Sequence, residues 1–287
     1  TVAAPVAWMF AKAFWDAGVP KEALQVIITR REALKVLTTA PAIKHIILTG
    51  GTDTAQNIAK ANPTTPLSAE TGGKNVIILT ASGDRDHAIM NIVTSAFGNA
   101  GQKCSACSLL LVERSVYEDE NFRSKLKDAA TSLKTGSVWN AGNIVGPMIT
   151  NKNDKLLQAF NLEPGESWLV PPRFIDRREY ILAPTVKWGV KPESFSFRTE
   201  LFGPLLSVAC IENLEEGIRL VNGLDYGLTS GLQSLDEKEQ KLWKNSVMAG
   251  NLYINRGITG AIVNRQPFGG MKLSAFGGGI KAGGPNY

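Results

Sequence analysis

The sequence predicts an α/β fold in which helices alternate with the strands of a parallel sheet. Two observations support this prediction. Short β-branched or leucine-rich runs, of the length of a buried strand, recur along the chain. Between them lie longer segments with apolar residues at helical spacing, and this alternation is typical of parallel strands joined by crossover helices. A chain of 287 residues, 44% of them hydrophobic, can build one large or two ordinary domains on such a sheet.

The opening of the chain predicts three helices and two strands. Residues 5–17 carry apolar side chains at helical spacing, and the stop signal Gly18-Val19-Pro20 follows them. Residues 24–28 form a β-branched run that predicts a short strand, and residues 31–39 predict the second helix. The apolar run 45–48 predicts a strand of the kind buried in parallel sheets, and a glycine-rich turn then leads into the third helix.

The turn at Gly50 and Gly51 has two interpretations. A glycine turn that leads from a strand into a helix N-terminus exposes backbone N–H groups, which can bind a phosphate. The same pattern also forms an ordinary tight connection, and neither a G-x-G-x-x-G motif nor a P-loop is present. Both interpretations stay open on these residues alone.

A second α/β region is predicted from residue 74 onward. Its expected strands are 76–79, 109–112, 206–209 and 252–254. Its expected helices are 84–96, 117–133, 214–221 and 238–247. The stretch 151–178 has weaker periodicity and predicts a short helix with loops.

Composition excludes several functional classes. The net charge is +5, but the charges are interleaved and no basic run alternates with aromatic residues, so no nucleic-acid interface is expected. No run approaches 18 apolar residues, so no membrane span is expected. Three cysteines are too few for a disulfide framework and suit a reducing compartment, which predicts a cytoplasmic protein. With only two histidines besides, no metal site is expected.

Two residues in glycine-rich surroundings are the candidate catalytic pair. Glu70 precedes Thr71-Gly72-Gly73-Lys74, and Cys104 follows Gly101-Gln102-Lys103. A thiol can attack a carbonyl, and a carboxylate can then activate the water that releases the acyl group. Backbone N–H groups and the neighbouring lysine would favour a thiolate, so a lowered pKa is expected for Cys104.

Other interpretations of this cysteine remain open. A lone cysteine is commonly a buried structural residue. Cys104 and Cys107 also form a C-x-x-C pair, which occurs in redox motifs and in half of a zinc site. A zinc site needs further ligands, and none is nearby in the sequence.

Six motifs in order make the chain resemble the aldehyde dehydrogenase superfamily. The resemblance covers essentially the whole chain. The motifs are Thr49-Gly50-Gly51-Thr52, Glu70-Thr71-Gly72-Gly73-Lys74, Gly101-Gln102-Lys103-Cys104, Glu200-Leu201-Phe202-Gly203-Pro204, Asn222 with Tyr226-Gly227-Leu228-Thr229, and Pro267-Phe268-Gly269-Gly270.

Further segments narrow the resemblance to the Δ1-pyrroline-5-carboxylate dehydrogenases, also called L-glutamate-γ-semialdehyde dehydrogenases. These occur alone or as the C-terminal half of a bifunctional proline-utilisation protein. The segments are Lys103-Cys104-Ser105-Ala106-Cys107-Ser108, Gly250-Asn251-Leu252-Tyr253-Ile254-Asn255-Arg256, Thr259-Gly260-Ala261-Ile262-Val263, Arg265-Gln266-Pro267-Phe268-Gly269-Gly270 and Lys281-Ala282-Gly283-Gly284-Pro285.

This resemblance implies a fold and a reaction. The implied fold is a partial Rossmann-type cofactor domain over residues 1–73, an α/β catalytic domain over 74–270, and a tail over 271–287 that returns toward the cofactor and oligomerisation region. The implied reaction is the NAD-dependent oxidation of glutamate γ-semialdehyde to glutamate in proline catabolism. Cys104 would be the nucleophile that forms a thiohemiacetal and then a thioester, and Glu70 would be the base for hydrolysis.

The resemblance also implies binding residues and partners. For the cofactor, Glu200 would hold the nicotinamide ribose, Phe202 would pack beside the nicotinamide, and Gly50 and Gly51 would lie near the pyrophosphate. For the substrate, Ser105, Gly260 and Ala261 would anchor the α-carboxylate, and Phe268 would line the aldehyde pocket. A homo-oligomer, or an attached proline dehydrogenase domain, is the implied partner.

The family pattern contains a segment that would precede Thr1. That segment carries an asparagine that stabilises the oxyanion and a lysine that binds the adenosine ribose. Two hypotheses follow. The chain is either the C-terminal part of a semialdehyde dehydrogenase, inactive or weakly active alone, or a non-catalytic scaffold domain that binds a carboxylated ligand or a partner. Loss of one oxyanion donor alone lowers a rate by about 10²–10³.

Overall fold

Helices and strands alternate along the chain, as the sequence predicts. The computed structural model describes residues 3–150, 153–262 and 265–277, without the side chain of Arg31. The helices are α1 Ala4–Asp16, α2 Arg31–Thr38, α3 Thr52–Ala61, α4 Arg85–Phe97, α5 Arg114–Tyr117, α6 Glu120–Ser132, α7 Asp154–Gln158, α8 Phe195–Arg198, α9 Leu214–Asn222 and α10 Glu237–Ser246. The strands are β1 Ile46–Thr49, β2 Leu67–Glu70, β3 Asn75–Leu79, β4 Cys107–Glu113, β5 Ser167–Val170, β6 Phe174–Asp176, β7 Ile181–Leu182, β8 Thr185–Trp188, β9 Leu205–Ile211, β10 Tyr226–Gly227, β11 Thr229–Gln233, β12 Asn251–Ile254, β13 Met271–Lys272 and β14 Ala275–Phe276.

The described residues divide into two units. The smaller unit holds the described residues up to 46 together with 56–66, and the larger unit holds 47–55 and the described residues from 67 onward. In the smaller unit, α1 and α2 confirm the helices predicted at 5–17 and 31–39. The domain boundaries expected at 73 and 270 stay predictions. Residues 278–287 of the expected tail, with the segment 281–285, lie outside the described residues, as does Val263.

Two strand predictions in the opening segment need correction. Residues 25–30 are not in a strand, and Ile27 and Ile28 are each 59% exposed. A β-branched run forms a strand only when a neighbouring strand supplies hydrogen-bond partners, and none pairs with this run within the described structure. The strand expected at 45–48 is present as β1, but it is not buried. It lies at the edge of a three-stranded sheet of order β1-β2-β14, and Ile47 is 83% exposed.

A seven-stranded sheet organises the larger unit. Its strand order is β12-β11-β3-β4-β9-β8-β5. All neighbouring strands run parallel except β5, which pairs antiparallel with β8. The strands predicted at 76–79, 109–112, 206–209 and 252–254 are confirmed as β3, β4, β9 and β12. The parallel arrangement confirms the predicted fold class.

Helices cover both faces of this sheet, which explains the continuous apolar strands. Alternate residues of β3 point to opposite sides, so Ile77 packs in a cluster with Ile92 of α4, whereas Ile78 packs in a cluster with Trp243 of α10. Both isoleucines are fully buried. The helices predicted at 84–96, 117–133, 214–221 and 238–247 are confirmed as α4, α6, α9 and α10, with residues 114–117 forming the separate helix α5.

The stretch 151–178 holds more strand than the sequence predicts. The expected short helix is present as α7, but β5 and β6 lie where loops are predicted. In β5 the four residues run from exposed to buried, because the strand lies at the edge of the sheet. Its apolar pattern is therefore too short to be read as a strand.

The sheet determines where the segments that carry Glu70 and Cys104 meet. Cys104 lies three residues before β4, Glu70 lies five residues before the first residue of β3, and β11 begins at Thr229. Because β11, β3 and β4 are parallel neighbours, the segments that enter them lie at one edge of the sheet. Among the helices described, none has the length and apolar character needed to cross a bilayer.

Candidate active site

Glu70 is held by backbone pairing on both sides. It is the last residue of β2 and lies opposite Ala275 of β14. Its carbonyl oxygen accepts a hydrogen bond from the Gly50 N–H at 3.1 Å. The next residue, Thr71, donates its N–H to Ser274 O at 3.0 Å and its hydroxyl to Leu273 O at 2.5 Å. The strand ends of β2 and β14 therefore fix the direction in which this acidic side chain leaves the backbone.

A left-handed turn leads the chain to Cys104. Asn99, Ala100 and Gly101 have φ angles of 55°, 54° and 66° in succession. Gly101 is required for a second reason as well, since a Cβ there would lie 2.4 Å from Gly203 O. Strained backbone of this kind persists only where surrounding contacts over-determine it, and it is common at functional sites.

Gln102 joins this turn to the loop that carries Glu200 and Phe202. Its Nε2 donates to Phe202 O at 3.2 Å, and its Oε1 accepts from the Ile149 N–H at 2.9 Å. Phe202 itself has a φ of 47° and is 41% exposed. The turn before Cys104 and the loop that carries Phe202 are thus joined by a hydrogen bond.

The Cys104 thiol has a raised pKa, which overturns the expected lowering. Burial is the largest cause, and the negative charges of Glu70 and Glu200 also raise the pKa. The Ser105 backbone N–H acts in the opposite direction but is outweighed. The neighbouring Lys103 is exposed to solvent. The charges of Glu70 and Glu200 therefore both act on the Cys104 thiol.

The second cysteine of the C-x-x-C pair is a structural residue. Cys107 is only 1% exposed, and burial raises the pKa of its thiol to about 12. All three cysteines are free thiols. The part of the chain that the structure describes contains no cluster of His, Cys, Asp and Glu with the makeup of a metal site.

Glu200 packs directly on the glycines that follow Glu70. Its Oε1 accepts the Gly73 N–H at 2.9 Å. A Cβ added to Gly72 would lie 2.0 Å from the Glu200 Oε2 atom, so only glycine leaves room for this carboxylate. Burial raises the pKa of Glu200, although the Gly73 hydrogen bond and the charges of Lys155 and Lys74 lower it.

Lys74 is a buried cation at the end of the Glu70–Lys74 motif, and no role is predicted for it from the sequence. It is 3% exposed, and its Nζ donates to Ser108 O at 3.1 Å. Burial lowers its pKa to about 7, while the charges of Cys107 and Glu200 act to raise it. Lys74 and the adjacent Asn75 are polar residues at the entrance to the apolar run of β3. Two polar residues directly before a buried apolar strand are the sequence feature from which a buried role for Lys74 could have been predicted.

Lys74 predicts a specific pH dependence of stability. The folded chain releases this proton near pH 7, whereas the unfolded chain holds it to about pH 10.4, so unfolding takes up a proton between these values. The free energy of unfolding is therefore expected to rise from pH 7 to about pH 8.5, below the range where the unfolded cysteines titrate. Denaturant titrations at several pH values measure this slope.

The Lys74→Met variant is expected to flatten that rise. Lys127→Met is the matched control, because it makes the same replacement at a lysine that is exposed to solvent. A Lys74→Met slope equal to that of Lys127→Met would contradict the assignment.

The turn at Gly50 and Gly51 provides an open helix N-terminus. It lies between β1 and α3, and Gly51 O accepts the N–H groups of Thr54 and Ala55 at the start of that helix. A Cβ at Gly51 would meet no atom within 4 Å, so the space beside the turn is open. Open backbone at a helix N-terminus, with the half-buried Glu200 carboxylate in the same unit, fits a dinucleotide that carries both phosphates and ribose hydroxyls.

The four residues expected to bind the substrate lie in three separate segments, and no hydrogen bond within the described residues joins all of these segments. Ser105 is 6% exposed, and its carbonyl accepts the Thr229 hydroxyl at 3.4 Å, so it lies with Cys104 at the strand entrances. Gly260, with a φ of 84°, and Ala261 lie in the loop after β12. Phe268 is partly buried just ahead of Gly269, whose carbonyl accepts from Asn251 Nδ2 at 3.0 Å. Their grouping around a substrate stays a prediction.

A model of the aldehyde dehydrogenase family matches residues 1–287. The chain belongs to the aldehyde dehydrogenase family. This confirms the resemblance and the fold, while the roles that the resemblance implies for Cys104, Glu70 and Glu200 stay predictions.

Relatives of this aldehyde dehydrogenase include 1-pyrroline-5-carboxylate dehydrogenases. That of Geobacillus kaustophilus is 32% identical over 98% of this chain and 56% of its own length. Among solved structures, Proline Utilization A (PutA) from Corynebacterium freiburgense is 42% identical with a TM-score of 0.93, over 98% of this chain and 29% of that one. A 1-pyrroline-5-carboxylate dehydrogenase from Thermus with bound NAD is 31% identical with a TM-score of 0.89, over 96% and 55%. The chain thus spans about half the length of the curated relatives it matches.

Proposed function

We propose that the natural protein carrying this chain oxidises L-glutamate γ-semialdehyde to L-glutamate with NAD, as a step of proline catabolism. The observation that carries the proposal is a half-buried thiol just before β4 on which two carboxylate charges act, those of Glu70, just before β3, and Glu200, just before β9. The similarity to 1-pyrroline-5-carboxylate dehydrogenases supports the substrate. The three free cysteines suit a cytoplasmic location.

In the proposed mechanism Cys104 acts first. Its thiol, once deprotonated, attacks the aldehyde carbon and forms a tetrahedral thiohemiacetal. Glu200, Phe202 and the Gly50–Gly51 turn would hold NAD, which would supply the hydride acceptor needed to convert this adduct into a thioester. Because burial and two neighbouring carboxylates raise the pKa of the thiol, this first step needs a base. Glu70 takes the thiol proton and passes it to solvent before the hydrolysis step.

Glu70 then completes the reaction. It removes a proton from water, the resulting hydroxide attacks the thioester carbon, and the carbon–sulfur bond breaks to give the product carboxylate and the Cys104 thiolate. Its backbone is paired with β14, and the neighbouring Thr71 is bonded to Leu273 and Ser274, so the base is supported on both sides. A fixed base avoids the entropic cost of arranging the water in each turnover.

For the cofactor, we assign Glu200 to the nicotinamide ribose, Phe202 to the nicotinamide ring, and Gly50 and Gly51 to the pyrophosphate. For the substrate, Ser105 with Gly260 and Ala261 would bind the α-carboxylate, because a hydroxyl and backbone N–H groups donate to a carboxylate oxygen. Phe268 would line the aldehyde pocket. We further propose a second copy of the protein, or an attached proline dehydrogenase domain, as partner, in line with the similarity to PutA.

A substrate comparison tests the proposal. The natural protein is incubated with NAD and glutamate semialdehyde, and NADH absorbance is followed, with pentanal as the matched aldehyde that lacks the α-amino and carboxylate groups. A site that binds the carboxylate should prefer the semialdehyde in kcat/KM by about 10²-fold or more. Equal values would point to another aldehyde, and no NADH from either would favour the non-catalytic scaffold.

A further inference from the structure

One buried amide contacts the backbone of the nucleophile on both sides of Ser105. Asn75 is 1% exposed, and its Nδ2 donates to Cys104 O at 2.7 Å and to Ala106 O at 2.9 Å. Its Oδ1 accepts the Thr229 N–H at 3.0 Å. The amide orientation follows from these partners, because two carbonyl oxygens can face only the NH₂ group and an N–H can face only the oxygen.

The three contacts join the entrances of three neighbouring strands. Asn75 begins β3, Thr229 begins β11, and the bonded carbonyls belong to the connection that enters β4. In the sheet β3 lies between β11 and β4. The preceding residue extends the arrangement, since Lys74 donates to Ser108 O, so carbonyls two residues apart from 104 to 108 all receive side-chain donors.

The amide also has no freedom to move. A Cβ on Gly73 would lie 2.7 Å from Asn75 Oδ1, which shows how closely the backbone packs on the side chain. Both NH₂ hydrogens are used, and the two carbonyls would lose a buried donor if Asn75 were removed. Buried carbonyls without donors are unfavourable, so the connection that carries Cys104 would shift to find others.

We propose that Asn75 is the positioning residue of the nucleophile, which fixes the backbone of Cys104 so that the thiol is presented to the aldehyde. The inference rests on the proposed function only in taking Cys104 as the nucleophile. Asn75 does not contact the reacting atoms. It acts through the two carbonyls, and it also limits how far the thiol opens toward solvent.

Alkylation of the thiols by iodoacetamide tests this without cofactor or substrate. In Asn75→Ala, Cys104 of the natural protein is expected to react at least about threefold faster, because the released connection opens locally. Peptide mass spectrometry follows each cysteine separately. Cys210, on β9 and outside this connection, serves as the reference, and an increase in its rate reports general unfolding.

Asn91→Ala is the matched control. Asn91 is a buried asparagine on α4 whose Nδ2 donates to Gln233 Oε1 at 3.1 Å, away from the nucleophile connection. It is expected to leave the Cys104 rate unchanged. An unchanged Cys104 rate in Asn75→Ala, or an equal increase in Asn91→Ala, overturns the proposal.

A second variant covers the case in which Asn75→Ala fails to fold. Asn75→Asp keeps the shape and the acceptor for Thr229 but replaces the NH₂ donor with an oxygen, so turnover is expected to fall about tenfold or more as the nucleophile is displaced. Wild-type turnover in Asn75→Asp would refute the positioning role. Should the wild-type protein not oxidise glutamate semialdehyde, the proposed function fails, while the alkylation comparison still decides the role of Asn75.

Discussion

Cys104→Ala is expected to lower aldehyde-dependent NADH formation by the natural protein by more than about 10³-fold, because no covalent adduct can form. The fold should survive, since Cys104 is a free cysteine that is only half-buried. The measurement is the initial rate of NADH formation at saturating aldehyde and NAD. Circular dichroism of the same sample confirms that the helices and strands remain.

Cys210→Ala is the control for loss of a thiol. Cys210 is a free cysteine on β9, and its Sγ lies 3.8 Å from the Ile211 carbonyl oxygen. Its removal should leave the rate within about twofold of wild type, as is usual for replacements away from the site. A Cys104→Ala enzyme with more than a tenth of the wild-type rate would remove Cys104 from the mechanism.

Gly72→Ala is expected to displace Glu200 while leaving the fold intact. The new methyl group would lie 2.0 Å from Glu200 Oε2, and the end of a flexible side chain moves more easily than backbone. Glu200 would then leave the Gly73 N–H, a charge-assisted hydrogen bond of a kind that contributes about 1.5–3 kcal/mol. The KM for NAD should therefore rise by about 10- to 100-fold, with a small change in melting temperature.

Two comparisons separate this effect from general damage. Gly146→Ala adds a methyl group 3.4 Å from the Val138 side chain, an ordinary contact distance, and should change nothing. Glu200→Gln should raise the KM for NAD as well, and the double variant Gly72→Ala/Glu200→Gln should be little worse than either single one, because both act through the same carboxylate. Additive effects would mean that Gly72 acts through some other group.

The strands of the sheet were predicted correctly where burial on both faces requires a continuous apolar run. β3 and β4 are buried on both faces, so they read as continuous apolar runs, and the helices between strands show helical spacing. β11 was missed because its sequence, TSGLQ, is polar for a strand in which every residue is buried. Its polarity is satisfied by contacts that cannot be read locally: the Ser230 hydroxyl bonds to Val76 O across the sheet at 3.3 Å.

The candidate site was also predicted only in part, because some of its properties depend on contacts between residues distant in sequence. Motifs identify Cys104, Glu70 and Glu200 by residue type, and the family match supports the motifs. The pKa of Cys104 was expected in the wrong direction, because burial and the charge of Glu200, 96 positions away in sequence, are properties of the folded chain. Asn75 carried no motif signal, since its partners are carbonyl groups, which every residue has.

The hydrogen bonds between Thr71 and residues 273 and 274 have a consequence for the order in which the parts of the site fold. Thr71 and Leu273 are 202 positions apart, and the β2–β14 pairing beside them is equally distant in the chain. Contacts of such separation form late, because a long loop must close before they can form. During synthesis, Glu70 is therefore made 202 positions or more ahead of the segment that steadies it. The base is fixed among the last events of folding, when almost all of the catalytic segment is already made.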